Sequence, residues 1–139
     1  MKYKLLLIML LVCGIGWGQA SLPFSYDLGK PTSVNGLVHS GLGSDYSSSP
    51  KMKFDHTSDN LILNFSGTPN VLTFNLKWNP STTLSRFPGD FQVSESADGI
   101  NYTVIQIYNS TNGTALPSGQ IISQTFSNLN TSTRYIKWE

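Results

Sequence analysis

Two stretches of strict alternation set the terms for everything else this chain can build. Leu61, Leu63 and Phe65 alternate with Ile62, Asn64 and Ser66, and Leu72, Phe74, Leu76 and Trp78 alternate with Thr73, Asn75 and Lys77. A period of two puts every second side chain on one face of an extended backbone, so each stretch predicts a half-buried β-strand with its large apolar side chains inward. Gly67-Thr68-Pro69-Asn70 between them has turn chemistry, which predicts an antiparallel hairpin over 60–79 with Trp78 on the core face. Phe91 to Ser96 and Tyr102 to Tyr108 repeat the pattern around Asp98-Gly99, where glycine accepts the positive φ of a tight turn. Ile121 to Phe126 and Thr133 to Trp138 add two strands, joined by the polar bend Ser127 to Ser132. Shorter strands are predicted at Phe24 to Leu28, Leu37 to His39 and Lys51 to Phe54. No segment carries a helical stripe over ten residues, so the expectation is an all-β, antiparallel sandwich or barrel.

Composition supports a packed sheet protein and narrows its partners. Only 12% of the 139 residues are charged, while 39% are hydrophobic and 12% aromatic; disordered chains have the opposite balance. The amino-terminal segment has Lys2 and Lys4, an apolar run from Leu5 to Trp17, and then Gly18-Gln19-Ala20, the small-x-small pattern of a signal-peptidase site. Residues 1–20 are therefore read as a leader cut after Ala20, with Gln19 the neighbouring choice, leaving a single domain over 21–139. The apolar run is shorter than the roughly 20 residues of a spanning helix, so no stable membrane anchor is expected. Acylation at Cys13 is disfavoured, because Val12 stands where a lipobox has a small residue. Loss of Lys2 and Lys4 moves the formal net charge from +1 to −1, which offers no electrostatic footprint for nucleic acid. Cys13 is the only cysteine. A chain without it has no disulfide, no thiolate zinc site and no cysteine nucleophile, and must be held by packing.

Residues 91–103, Phe-Gln-Val-Ser-Glu-Ser-Ala-Asp-Gly-Ile-Asn-Tyr-Thr, resemble the strand-turn-strand signature of galactose-binding-like jelly rolls, the group that includes discoidin-like domains and many carbohydrate-binding modules. Arg134-Tyr135-Ile136-Lys137-Trp138 resembles a later strand of the same folds. The chain from Leu22-Pro23-Phe24 onward is also similar to the amino-terminal modules of secreted Bacteroidetes proteins that use type IX secretion. The resemblance implies an antiparallel jelly-roll sandwich, an exported or cell-surface location, and accessory attachment to a larger protein such as a nuclease. In that family one more strand follows the segment matched by residues 134–138, so the resemblance implies a truncated fragment with an uncovered edge strand.

Each chemistry-bearing residue also has a plain structural role open to it. His39 and His56 are the only histidines; neither stands in an H-x-x-x-H or H-E-x-x-H spacing, so catalysis or zinc binding, which would require Asp55 or Asp59 alongside, is set aside in favour of surface or edge packing. No G-x-S-x-G elbow is present. Asp45, Asp55, Asp59, Asp90, Asp98 and Glu95 fall in or beside turn-rich segments, where solvated acids are the default; no catalytic residue is assigned. The resemblance implies at most a structural calcium, for which Asp27, Asp55, Asp59 and Asp90 are the candidate ligands; otherwise no cofactor is expected. Sugar recognition on a sheet scaffold uses exposed aromatic faces with hydrogen-bonding neighbours. Tyr46 and Phe87, with Arg86 and Asn79, are the candidate ligand-binding residues, and the expected partner of a monomeric module is a glycan or cell-surface polymer. The alternative is a structural module, amino-terminal to an enzyme, with no ligand of its own.

Overall fold

The computed structural model describes residues 18–43, 51–79 and 88–139. All regular structure among them is β: β1 (Ala20–Ser21), β2 (Leu37–Ser40), β3 (Asn60–Ser66), β4 (Leu72–Lys77), β5 (Phe91–Ser96), β6 (Thr103–Tyr108), β7 (Ile121–Phe126) and β8 (Tyr135–Trp138). The strands form a six-stranded sheet in the order β1-β3-β8-β5-β6, with β2 also on β3, and a two-stranded sheet of β4 and β7. Every pairing is antiparallel except that of β1 with β3.

The alternation seen in the sequence becomes the inner face. Leu61, Leu63 and Phe65 of β3 are buried, as are Phe91 and Val93 of β5, Ile136 and Trp138 of β8, and Tyr108 of β6. Leu72, Phe74, Leu76 and Trp78 are half-buried against this cluster. Phe74 meets Trp138 edge-on at 5.8 Å between ring centroids and stacks on Phe126 at 5.9 Å. The first of these contacts joins the small sheet to the large one, and the second lies within the small sheet.

Three expectations are corrected. The predicted hairpin over 60–79 does not form: β3 pairs with β8 on one edge and with β2 and β1 on the other, whereas β4 pairs with β7. Both edges of β3 are thereby filled, and Gly67 to Val71 carries the chain between sheets. Phe24 to Leu28 and Lys51 to Phe54 are not strands; the second contributes only the isolated bridge Gly43↔Lys53. β8 lies inside the large sheet, flanked by β3 and β5, and Glu139 extends the β5 ladder by exchanging backbone hydrogen bonds with Gln92. Finally, Asp59 is no solvated turn acid but is 2% exposed.

Two local devices shape the large sheet. On β6 the register shifts between Val93↔Gln106 and Ser94↔Val104, which leaves Ile105 as one extra residue. Such a bulge breaks the period of two, so Ile105 and Tyr108, an odd number of residues apart, both pack against the core. At the opposite edge Gly36, with φ +80°, lies where a Cβ would strike the Asn64 carbonyl oxygen and the Ala20 nitrogen. Only glycine permits that approach, and through it Gly36 accepts a 2.7 Å hydrogen bond from the Asn64 N–H. Ala20, the residue placed last in the leader, is itself buried in β1.

Candidate functional site

The two segments that carry the family resemblance are neighbours in space. β5 pairs with β8 through Ser96↔Tyr135 and Glu95↔Ile136, and the Arg134 N–H donates to the Ser96 carbonyl at 2.8 Å. The β5–β6 turn forms at Asp98-Gly99 as its sequence predicts, with Gly99 at φ +74° pressed against the Tyr135 ring, where a Cβ would lie 2.9 Å from ring carbon Cζ. Asp98 organises the turn. Its Oδ1 accepts the Ile100 and Asn101 N–H groups, both at 2.8 Å, and the Ser96 hydroxyl at 3.0 Å, while Oδ2 accepts the Asn101 amide at 2.7 Å. The backbone N–H groups of Asn101 and Ile100 are the chief reason its carboxyl is held far below the usual carboxylate range, since they bind only the charged form well.

Beside this turn lies a shallow groove of about 220 Å³, whose lining includes Glu95, Asp98, Asn101, Asn130, Ser132 and Thr133. Glu95 Oε2 accepts the Thr133 hydroxyl at 2.6 Å and the Asn130 N–H at 3.0 Å, which ties the 127–134 bend to β5. A third polar knot sits at Asn109, whose Oδ1 accepts the N–H groups of Thr111, Asn112 and Gly113. Its amide donates to Asp90 Oδ1 at 2.8 Å.

Of the residues assigned to ligand binding from sequence, Asn79 is exposed just past β4. Tyr46, Arg86 and Phe87 lie outside the described residues, as does Asp45. Of the four acids considered for calcium, Asp27 and Asp90 are exposed and Asp90 is engaged by Asn109, whereas Asp55 and Asp59 come together. Among the described residues, Asp55, His56 and Asp59 form the one group of three or more metal-capable side chains with ligand atoms within 4.8 Å of one another. Asp59 Oδ2 accepts the Asp55 and His56 N–H groups at 2.7 and 2.9 Å, which curls this segment around the carboxylate. Asp55 Oδ2 pairs with the Lys53 ammonium at 2.8 Å, and that hydrogen bond is the main cause of a carboxyl held below its ordinary range. His56, set aside from its sequence context, lies beside these two acids, and the D-H-x-x-D order of residues 55–59 is the sequence pattern that accompanies the grouping.

No helix among the described residues is long and apolar enough to cross a membrane. Set against protein-family models, curated proteins and solved structures, the chain matches none.

Proposed function

We propose that this chain is an exported, non-catalytic β-sandwich of the galactose-binding-like jelly-roll kind that binds glycan or cell-surface polymer as an accessory module of a larger exported protein. The observation that supports this reading most is the seating of the Asp98-Gly99 hairpin on the Tyr135 strand, which brings the two resembling fragments into one structural unit. The Phe74–Trp138 contact between the sheets supports a face-packed arrangement, and loops on such a rigid scaffold are where recognition concentrates. In this reading residues 1–20 are the leader, and cleavage after Ala20 removes the β1 residue opposite Phe65 while Ser21, opposite Ser66, becomes the new amino terminus.

A glycan array probed with the purified chain tests it. Binding that disappears in Tyr46→Ala or Phe87→Ala supports the loop-aromatic site; silence across the array removes the glycan reading. A second reading, a structural module with no ligand of its own, is favoured by one specific observation: the polar groups around the groove are spent on one another. Asp98 alone accepts four hydrogen bonds from its own turn.

A further inference from the structure

Asp59 contains a contradiction that its role as a turn cap does not resolve. Its side chain is fully buried, at 0% exposed, yet only Oδ2 is used; Oδ1 has no hydrogen-bond partner. A buried carboxylate oxygen with nothing to bind is costly, because it gives up water without replacement. That oxygen faces the cluster: the nearest polar atom of another cluster residue recorded for it is His56 Nδ1 at 4.0 Å, too long for a hydrogen bond. His56 Nδ1 in turn lies 3.2 Å from Asp55 Oδ1. The carboxylates are seated against glycine. A Cβ on Gly41 would collide with Asp59 Oδ1, and one on Gly43 would lie 2.5 Å from Asp55 Oδ1.

We propose that Asp55 Oδ1, His56 Nδ1 and Asp59 Oδ1 bind a divalent cation of the zinc class. A tetrahedral zinc bound at about 2.0–2.1 Å sets its ligand atoms roughly 3.3 Å apart, and the observed separations of 3.2 and 4.0 Å need only a small closure around a shared ion. An imidazole nitrogen among the donors selects zinc-like ions over calcium, which takes 6–8 oxygens. Of the four acids that the family resemblance offers for calcium only Asp55 and Asp59 gather, and His56 joins them, so the donor set here is a different one. The ion gives the orphaned Asp59 oxygen its partner, and it ties the residue before β3 to the histidine of the preceding loop. His56, whose side chain is 73% exposed, leaves the solvent side open for water as a fourth ligand. This inference stands independently of glycan binding.

Equilibrium dialysis of the purified chain, carrying Cys13→Ser to remove the lone thiol, against zinc and separately against calcium tests it. One zinc per chain is expected. His56→Ala and Asp55→Asn should weaken zinc binding by at least the roughly 10–100-fold that loss of a supporting group causes in metal sites, and His39→Gln should leave it unchanged. Both deciding positions are exposed, so circular dichroism of those variants should match the parent. Absence of bound zinc, affinity undiminished in His56→Ala, or calcium retained as tightly as zinc would each overturn the assignment.

Discussion

Tyr108→Phe isolates one atom whose energetic effect has a definite sign. The Tyr108 side chain is fully buried, its ring 6.2 Å from that of Phe91, and its hydroxyl has no hydrogen-bond partner. A buried polar group left unpaired costs about 1–3 kcal/mol, so removing the oxygen while keeping the ring should stabilise the fold. The small void left behind offsets part of this, and a net gain of about 1 kcal/mol is expected, or roughly 3–5 °C in Tm for a chain of this size. Burial also pushes the Tyr108 hydroxyl up to about 12 from 10.0. The unfolded chain therefore releases this proton first, so the parent protein loses stability as pH rises from about 10 to 12, by about 3 kcal/mol at 1.36 kcal/mol per pKa unit. The Phe variant lacks that component and keeps only the smaller loss from Tyr102, whose hydroxyl burial also raises. Thermal and urea unfolding at pH 7 and at several points above 10 read both effects. A Phe variant less stable than the parent at pH 7, or one with an unchanged alkaline profile, would refute the reasoning by showing that the hydroxyl has a partner.

Three other perturbations follow from geometry. Thr133→Val keeps the shape of a residue that is 1% exposed but removes its 2.6 Å bond to the Glu95 carboxylate; a loss of roughly 1.5–3 kcal/mol, the range for hydrogen bonds to charged groups, is expected in urea unfolding. Asp98→Ala should lower Tm and shift the Ile100 and Asn101 amide resonances, which lose their acceptor. In the parent the Asp98 contribution is present above the ordinary carboxylate range and fades as pH falls below about 4, because the folded state holds the charged form; a flat acid profile that matches the variant's would contradict it. Gly36→Ala drives a methyl group into Asn64 and Ala20 backbone atoms at φ +80°, with an expected cost of at least about 2 kcal/mol, visible as early hydrogen exchange at the Asn64 amide.

Strand positions were legible wherever one face is buried and the other wet, because that arrangement writes a period of two into the sequence: β3 and the hairpin β5–β6 came out at nearly their observed bounds. The partners of β3 and β4 were not. Gly67-Thr68-Pro69-Asn70 has the chemistry of a turn, and a turn that reverses a strand within one sheet uses the same residues as one that carries the chain to another sheet. What decides between them is whether the β3 edge is free, and it is taken by Tyr135–Trp138, some seventy residues further on. The bulge at Ile105 was equally hidden, since it shows only as two core residues an odd number of positions apart. At the candidate metal site the spacing Asp55-His56-x-x-Asp59 was visible, but the burial of Asp59 depends on β2 and Gly41 closing over it, and no local pattern records that.

The placement of β8 has a consequence for the order of assembly. It supplies the hydrogen bonds that hold β3 to one side and β5 to the other, yet of all the described strands it is the last to be synthesised. Until Tyr135 to Trp138 arrive, β3 with its two amino-terminal neighbours and the β5–β6 ribbon share no ladder, and an open slot runs down the middle of what will become one sheet. Long-range closure of this kind is slow compared with forming a ribbon, so a growing chain stays in separable pieces until Tyr135 to Trp138 enter the slot.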